Sequence, residues 1–456
     1  MSISIRDFMK RAPRVSSQVS QKQLILLQLN EINIDVVRNY IATGLKLPTF
    51  GRLINEGFIT TTAEAKYEHL EPWIQWPSVY TGKTFGEHQV FRLGDMVSTD
   101  HQQIFELIES AGYKVGAISP MNAANRLKSP VYFIPDPWTV TCPDKSWLSR
   151  VLTAAIRQIV NDNSQGKVSL KSGLILVLSF IKFVRLKKFL FFGGYALSAL
   201  KKPWRKALFL DLFLHEVHLS LVNAKKPNFS TLFLNAGAHI QHHYFLNSTE
   251  VEIPSGEKKP QWYLSPHEDP VREMLIIYDE ILRDLIARDG EILIANGLSQ
   301  EPFLQPEFYY RLKDHCAFLS MLGIPFSQVI PRMTRDFLVV FESVEDANFA
   351  RDILTKLKTS EGQALFGEIE QRQKELFVVL TYSEEITTDT LAHLPDCDVS
   401  VLEHVVFVAI KNGAHVTKGF AYFSEGIKKY SPEEASHVAS LSASIRSYFG
   451  IAEDTA

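Results

Sequence analysis

Three imidazoles fall within five positions in the segment Asn235-Ala-Gly-Ala-His239-Ile-Gln-His242-His243, and a fourth closes the segment Asn412-Gly-Ala-His415. Neutral imidazole nitrogens and carbonyl-type oxygens are ordinary ligands of zinc, manganese and related ions. Each segment follows an apolar run, FSTLFL at 229–234 and VVFVAI at 405–410. Side chains just beyond a strand project into the crevice at the carboxyl edge of an α/β sheet, where ligands bind. The chemistry expected is one divalent metal, zinc or manganese, held by these imidazoles and an amide oxygen. A site with no metal is the alternative.

The elements that must position these groups are legible. LILLQL at 24–29 reads as a buried strand, and a helical pattern runs from Asp35 through Leu53 to a stop at Gly57. A second unit is the helix QIFELIESA, then Gly112 and the strand YKVGAIS. A further pairing is the helix REMLIIYDEILRDLIARD (272–289), Gly290 and the strand EILIAN (291–296). Such alternation predicts an α/β fold, a mainly parallel sheet sandwiched by helices, with helical insertions. Ligand contacts are then expected just after the strands: Asn30 and Glu31, Asn235 to His243, and Asn296 to Gln300.

Composition narrows the class. The 456 residues are 46% hydrophobic and 22% charged with a net charge of −3, ordinary for a soluble protein and no argument for a nucleic-acid partner. Cys142, Cys316 and Cys397 form neither a disulfide framework nor a CxxC pair. The polar N-terminus lacks the apolar stretch of a secretory signal, so the expected location is cytoplasmic. Residues 151–230 hold 13 Lys and Arg against 3 acids and read as a basic helical insertion or cap. Within it, the apolar stretch 172–200 is interrupted at Lys182, Arg185, Lys187 and Lys188. It is too short to span a bilayer, and peripheral membrane contact through 172–206 is the functional reading. The expected division is a flexible 1–22, core α/β at 23–150, 229–300 and 401–456, the cap at 151–228, and an accessory α/β insertion at 301–400.

The order of motifs resembles the alkaline phosphatase superfamily, in particular its type I phosphodiesterase and nucleotide pyrophosphatase branch. LILLQLNEIN resembles the first strand with its metal-binding end, and EPWIQWPSVYTGKTFGEH the nucleophile helix ending in Thr81-Gly82. NAGAH resembles the Asp-x-x-Gly-His motif, IANGLSQ the Ser-Asp-His-Gly motif, and GAHVTKGFAYF the closing histidine segment. The resemblance covers roughly 24–140, 229–300 and 400–430. It implies an alkaline-phosphatase-like fold and a hydrolase or transferase acting on a phosphoester-like or other anionic substrate, with glycan- or nucleotide-linked small molecules included.

Departures from the family pattern are equally specific. The metal-binding position of the first strand falls on Asn30 or Glu31. Asn235 stands for the family's Asp, while His239 and His415 match its imidazole ligands. Asn296 and Gly297 replace an Asp and a His of the second metal site. The nucleophile position carries Pro72 beside Glu71, or Gln75 in another register, with Ser78 nearby. Losing two negative charges and one imidazole argues against a two-metal centre and for a reduced site of His239, His415 and Asn235 or His242.

Two alternatives follow from the same residues. Glu31 and Glu71 can serve as an acid and base pair in metal-independent glycan cleavage, with His242 beside them, against the reading that Glu71 merely caps the helix after it. A retired enzyme that only binds its ligand is the other. Arg92 offers an anion contact or a loop salt bridge with Asp95, and Trp76 a stacking surface or core packing.

Overall fold

The computed structural model describes residues 22–162, 170–251, 262–265, 267–331, 335–367, 369–393 and 398–452. The expectation for 1–22 lies, residue 22 apart, outside the described residues. Leu24–Leu29 is buried along its whole length, as a strand covered on both faces must be. Its alternate side chains serve two cores. Ile25, Leu27 and Leu29 join one cluster, while Leu24 and Leu26 join the cluster on the other face.

Among the described residues the central sheet has eight strands. Their order is Ser436–His437, Ile59–Thr62, Lys418–Phe423, Glu291–Ala295, Leu24–Leu29, Phe229–Leu234, Val115–Ile118 and Tyr132–Ile134. Lys418–Phe423 runs antiparallel to both its neighbours, and the remaining pairings are parallel. The fold is thus the expected mainly parallel α/β sheet with helices on its faces.

Two expectations are corrected in detail. The helical stretch from Asp35 is two helices, Ile34–Ala42 and Pro48–Glu56. Gly44, at φ 102°, ends the first, and Pro48 opens the second with its preset φ. VVFVAI does not re-enter the central sheet. It is the start of Val405–Val416, which pairs antiparallel with Ser299–Leu312 in a two-stranded ribbon. Only Lys418–Phe423 returns to the central sheet, because an apolar run specifies a strand but not the sheet it joins.

Residues between the ribbon's arms build their own core on a four-stranded antiparallel sheet, with Phe337, Val339, Leu376 and Val378 at its centre. The basic stretch expected at 151–228 holds the helices Leu170–Phe183, Phe189–Ser198 and Arg205–Lys225 and most of Trp147–Asp162, which starts four residues before it. Cys142 and Cys316 are free and exposed, and Cys397 lies outside the described residues.

Candidate metal centre

Parallel register sets the site. Leu29 lies opposite Leu234, and Gln28 opposite Ala295, so Asn30, Asn235 and Asn296 leave the sheet side by side at its carboxyl edge. Asn30 donates through Nδ2 to Asn235 Oδ1 at 2.9 Å and to Glu31 Oε1 at 3.0 Å, and its own Oδ1 accepts from Trp76 Nε1 at 2.8 Å. The next residue, Glu31, takes the left-handed conformation at φ 62°. That backbone is costly for a residue with a Cβ and persists only where the surroundings dictate it. Here the Glu31 amide donates to the Asn296 carbonyl at 3.0 Å, and the Gln241 side chain donates to the Glu31 carbonyl at 2.7 Å. The turn drives the Glu31 carboxylate inward, where it is almost wholly buried.

Two imidazoles meet it there. His415 Nε2 lies 3.0 Å and His242 Nε2 3.1 Å from the same oxygen, Glu31 Oε2, and the two nitrogens are 3.1 Å apart. Donor atoms about 2.1 Å from a common cation and near right angles to one another are roughly 3 Å apart, so this triangle matches one face of a coordination octahedron. The far side of each ring is also held. His242 Nδ1 is 3.3 Å from the Gly413 carbonyl, and His415 Nδ1 is 3.7 Å from Glu71 Oε2. A carbonyl can only accept, so His242 carries a proton on Nδ1, and its Nε2 faces the carboxylate oxygen, where a proton or a cation must sit between them. Two lone pairs facing each other at 3.1 Å repel, unless a proton or a cation sits where they converge. Histidine ligands fixed from behind by a carbonyl or a carboxylate are the usual arrangement around a bound metal.

Electrostatics follow from this packing. Burial alone would raise the Glu31 carboxyl, but the His415 and His242 imidazoles hold it well below the usual carboxylate range. Burial would lower His415, and Glu31 and Glu71 outweigh it and raise it. Burial pushes the Glu71 carboxyl up to about 7, with Glu31 adding to the shift and His415 opposing it.

Close packing supports the triangle. A Cβ on Gly413 would meet Gln300 Oε1 at 2.2 Å and the Gln241 carbonyl at 2.7 Å, so only glycine lets the ribbon approach the Ala236–Tyr244 helix. Gln300 donates to Glu31 Oε2 and, at 3.0 Å, to the Ala238 carbonyl. Asn412, at an irregularity in the ribbon register, donates to the His243 carbonyl at 2.7 Å.

The structure distributes the sequence candidates unevenly. Glu31, Glu71, His242 and His415 come together, with Asn30 and Asn235 behind them. His239 is exposed and meets His243 edge to face, with ring centroids 4.6 Å apart, outside the triangle. On a helix, positions 239 and 243 share a face, which draws His239 to His243. Glu71 stands at the N-cap of Pro72–Thr81 but makes no side-chain capping bond, and faces His415 instead. Ser78 is buried, bonded to the Ile74 carbonyl at 3.3 Å and to His88 Nε2 at 2.9 Å. Gln75 is tied to the His69 carbonyl and the Glu64 amide. The Asn296 side chain donates to the Ile32 carbonyl and the Ser299 hydroxyl and accepts from the Phe420 amide. Trp76 is fully buried, with its indole on Asn30. Arg92 pairs with Glu370 of the accessory sheet. Gln241 and Gln300 fall within the stretches expected after the strands at 229–234 and 291–295, and Gly413 within the segment Asn412–His415, but none of the three has a role that sequence pattern assigns.

No protein-family model matches the chain, and a search of the curated proteins finds no match either. Solved structures do overlay on it. Phosphonoacetate hydrolase from Sinorhizobium meliloti, in complex with phosphonoformate, is similar at 11% identity over 94% of this chain and 96% of that one, with a TM-score of 0.40. Murine ectonucleotide pyrophosphatase/phosphodiesterase 5 is similar at 11% identity over 95% and 96%, with a TM-score of 0.38. Alkaline phosphatase from the Antarctic bacterium TAB5 is similar at 8% identity over 94% and 98%, with a TM-score of 0.39. Scores below one half leave the chemistry to the residues themselves.

Proposed function

We propose that the chain is a hydrolase acting on a phosphoester-like or similar anionic small molecule, with one divalent cation, zinc or manganese, held by Glu31, His242 and His415. The observation that carries this reading is the triangle of Glu31 Oε2 and two Nε2 atoms with edges of 3.0, 3.1 and 3.1 Å. The substrate class rests on the order of motifs in the sequence.

A cation held there by Glu31, His242 and His415 would supply Lewis acidity toward a substrate oxygen. The protein's own groups do the rest. Glu31 brings the negative charge, and Asn30 and Gln300 fix its carboxylate. The Gly413 carbonyl and the Glu71 carboxylate turn the two imidazoles so that Nε2 faces inward. Among the described residues no Ser, Thr or Cys bonds to the triangle, and Ser78 is engaged with His88. With no hydroxyl or thiol at the triangle among the described residues, water is the proposed source of the attacking oxygen. Glu31 is engaged on both carboxylate oxygens, which gives less support to metal-free cleavage by Glu31 and Glu71.

Protein purified without chelator, analysed for metal and assayed on aryl phosphodiesters and monoesters, tests the proposal. One equivalent of zinc or manganese, and turnover lost with chelator and restored by the ion, are expected. Metal content below a tenth of an equivalent, with no binding of added ion by calorimetry, overturns it. Stoichiometric metal without turnover on any ester leaves the cation and removes the hydrolase.

A further inference from the structure

The helices Leu170–Phe183 and Phe189–Ser198 present apolar side chains both to the core and to solvent. Phe183, Phe192 and Tyr195 are buried, as the core-facing side requires. The opposite side is also apolar. Along Phe189–Ser198, the exposed residues Leu190, Gly193, Gly194 and Leu197 recur at i, i+3, i+4 and i+7, the stripe where polar side chains belong. Leu190 is 92% exposed, and Leu186 and Leu200 extend the same apolar surface at either end of the helix at 83% and 80%. Leu178 and Ile181 expose a second apolar face on the preceding helix at 55% and 59%. So much bare apolar surface in one segment marks an interaction site.

Charge selects the partner. No Asp or Glu occurs between Asp162 and Asp211. Lys188, Lys202 and Arg205 pair inward with Glu280 at 2.8 Å, Glu268 at 3.0 Å and Glu273 at 2.7 Å. Lys182, Lys187, Lys201 and Lys206 are exposed and make no ion pair among the described residues. Leucines bordered by unpaired lysines match the boundary between acyl chains and anionic headgroups. A crossing helix does not fit. Leu170–Phe183 has 14 residues, short of the roughly 20 a span needs. The one described helix long and apolar enough, Arg205–Lys225, buries Asp211, His215, Glu216 and His218 in the protein core.

We propose that this face docks the protein on a bilayer leaflet that carries anionic lipid, lying on the membrane rather than through it. Flotation of the full chain with vesicles of phosphatidylcholine alone, or mixed with phosphatidylglycerol, tests it. Binding is expected with the mixed vesicles, weakening as salt is raised. A variant with Leu190→Asp and Leu197→Asp, both on the outward face, should keep its melting temperature and lose partition about tenfold or more. Lys182→Gln, Lys187→Gln and Lys201→Gln together should remove the preference for anionic vesicles. Absence of flotation with either vesicle overturns the proposal, as does binding that the leucine variant leaves unchanged. Concentration-dependent dimers in light scattering that the leucine variant dissociates, without flotation, would assign the face to a second copy of the chain. Flotation that appears only after residues 1–21 are removed would show that segment covering it, and equally overturns docking by the intact chain.

Discussion

Glu31, His242 and His415 at the carboxyl edge of the sheet are built from the same kinds of side chain as His215, Glu216 and Asp284 between the helices Arg205–Lys225 and Pro270–Ile286. Both trios bring their ligand atoms within metal-binding distance of one another. The second trio already contains its cation. Arg185 Nε lies 3.0 and 2.9 Å from the two oxygens of Glu216, and its terminal nitrogen is 2.6 Å from Asp284 Oδ2. A guanidinium fork saturates both carboxylates, and His215 merely extends the network to Asp284 at 3.4 Å. At the sheet edge, among the described residues, no guanidinium or ammonium bonds to Glu31, and two imidazoles converge on one carboxylate oxygen instead. Ligand types alone do not make a metal site; an unfilled place for positive charge does.

Replacing His242 or His415 with Ala is expected to abolish stoichiometric metal uptake. The loss should exceed the about 10–100-fold typical of an outer-shell partner, with titration calorimetry as the check. Retained full affinity would make the two clusters equivalent. Arg185→Ala leaves Glu216 buried without its partner and should cost about 3 kcal/mol, the low end for a broken buried pair because Arg185 is 33% exposed. Urea denaturation reads that loss. Added zinc should recover part of it in Arg185→Ala and none in the unaltered second cluster, since removing the fork opens His215, Glu216 and Asp284 to a cation. Glu71→Gln should weaken metal binding about 10–100-fold while leaving the urea midpoint of the metal-free protein near that of the parent. An unchanged affinity would free Glu71 from orienting His415.

The smallest effect expected is an acid limb. Burial would raise the Asp284 carboxyl, but His215 and Arg185 outweigh it and hold it well below the usual range. Its share of stability is therefore complete above the unfolded value of about 3.9 and is lost as the pH falls from there toward the folded value. Urea midpoints should decline over that window, and Arg185→Ala should flatten the decline.

Much of the central sheet was legible because its strands are short apolar runs fed by helices with clear stops. The strands at 24–29 and 291–295, and the helix Pro270–Ile286, lie within a few residues of where periodicity puts them. Glu31, His242 and His415 were visible as residue types at strand ends. Their grouping was not, because it depends on a ribbon whose pairing joins His415 to Gln300, 115 positions apart in the chain. His239 and His242 were equally eligible in sequence, and only the axial rotation of a helix separates them. Arg92 and Glu370, and Ser78 and His88, are pairs that local pattern cannot announce.

Order of assembly follows from the same ribbon. Glu31 and His242 belong to elements that meet in the central sheet and its first layer of helices, whereas His415 arrives on the far arm of a hairpin whose arms enclose a separately packed core. Contacts at such sequence separation form late, since loop closure must be completed before they are rewarded. A nascent or misfolded chain can thus own the parallel strands from Leu24 to Ala295 and still lack its third donor. Metal capture would then serve as a receipt for completed folding, issued only after the last segment has come home.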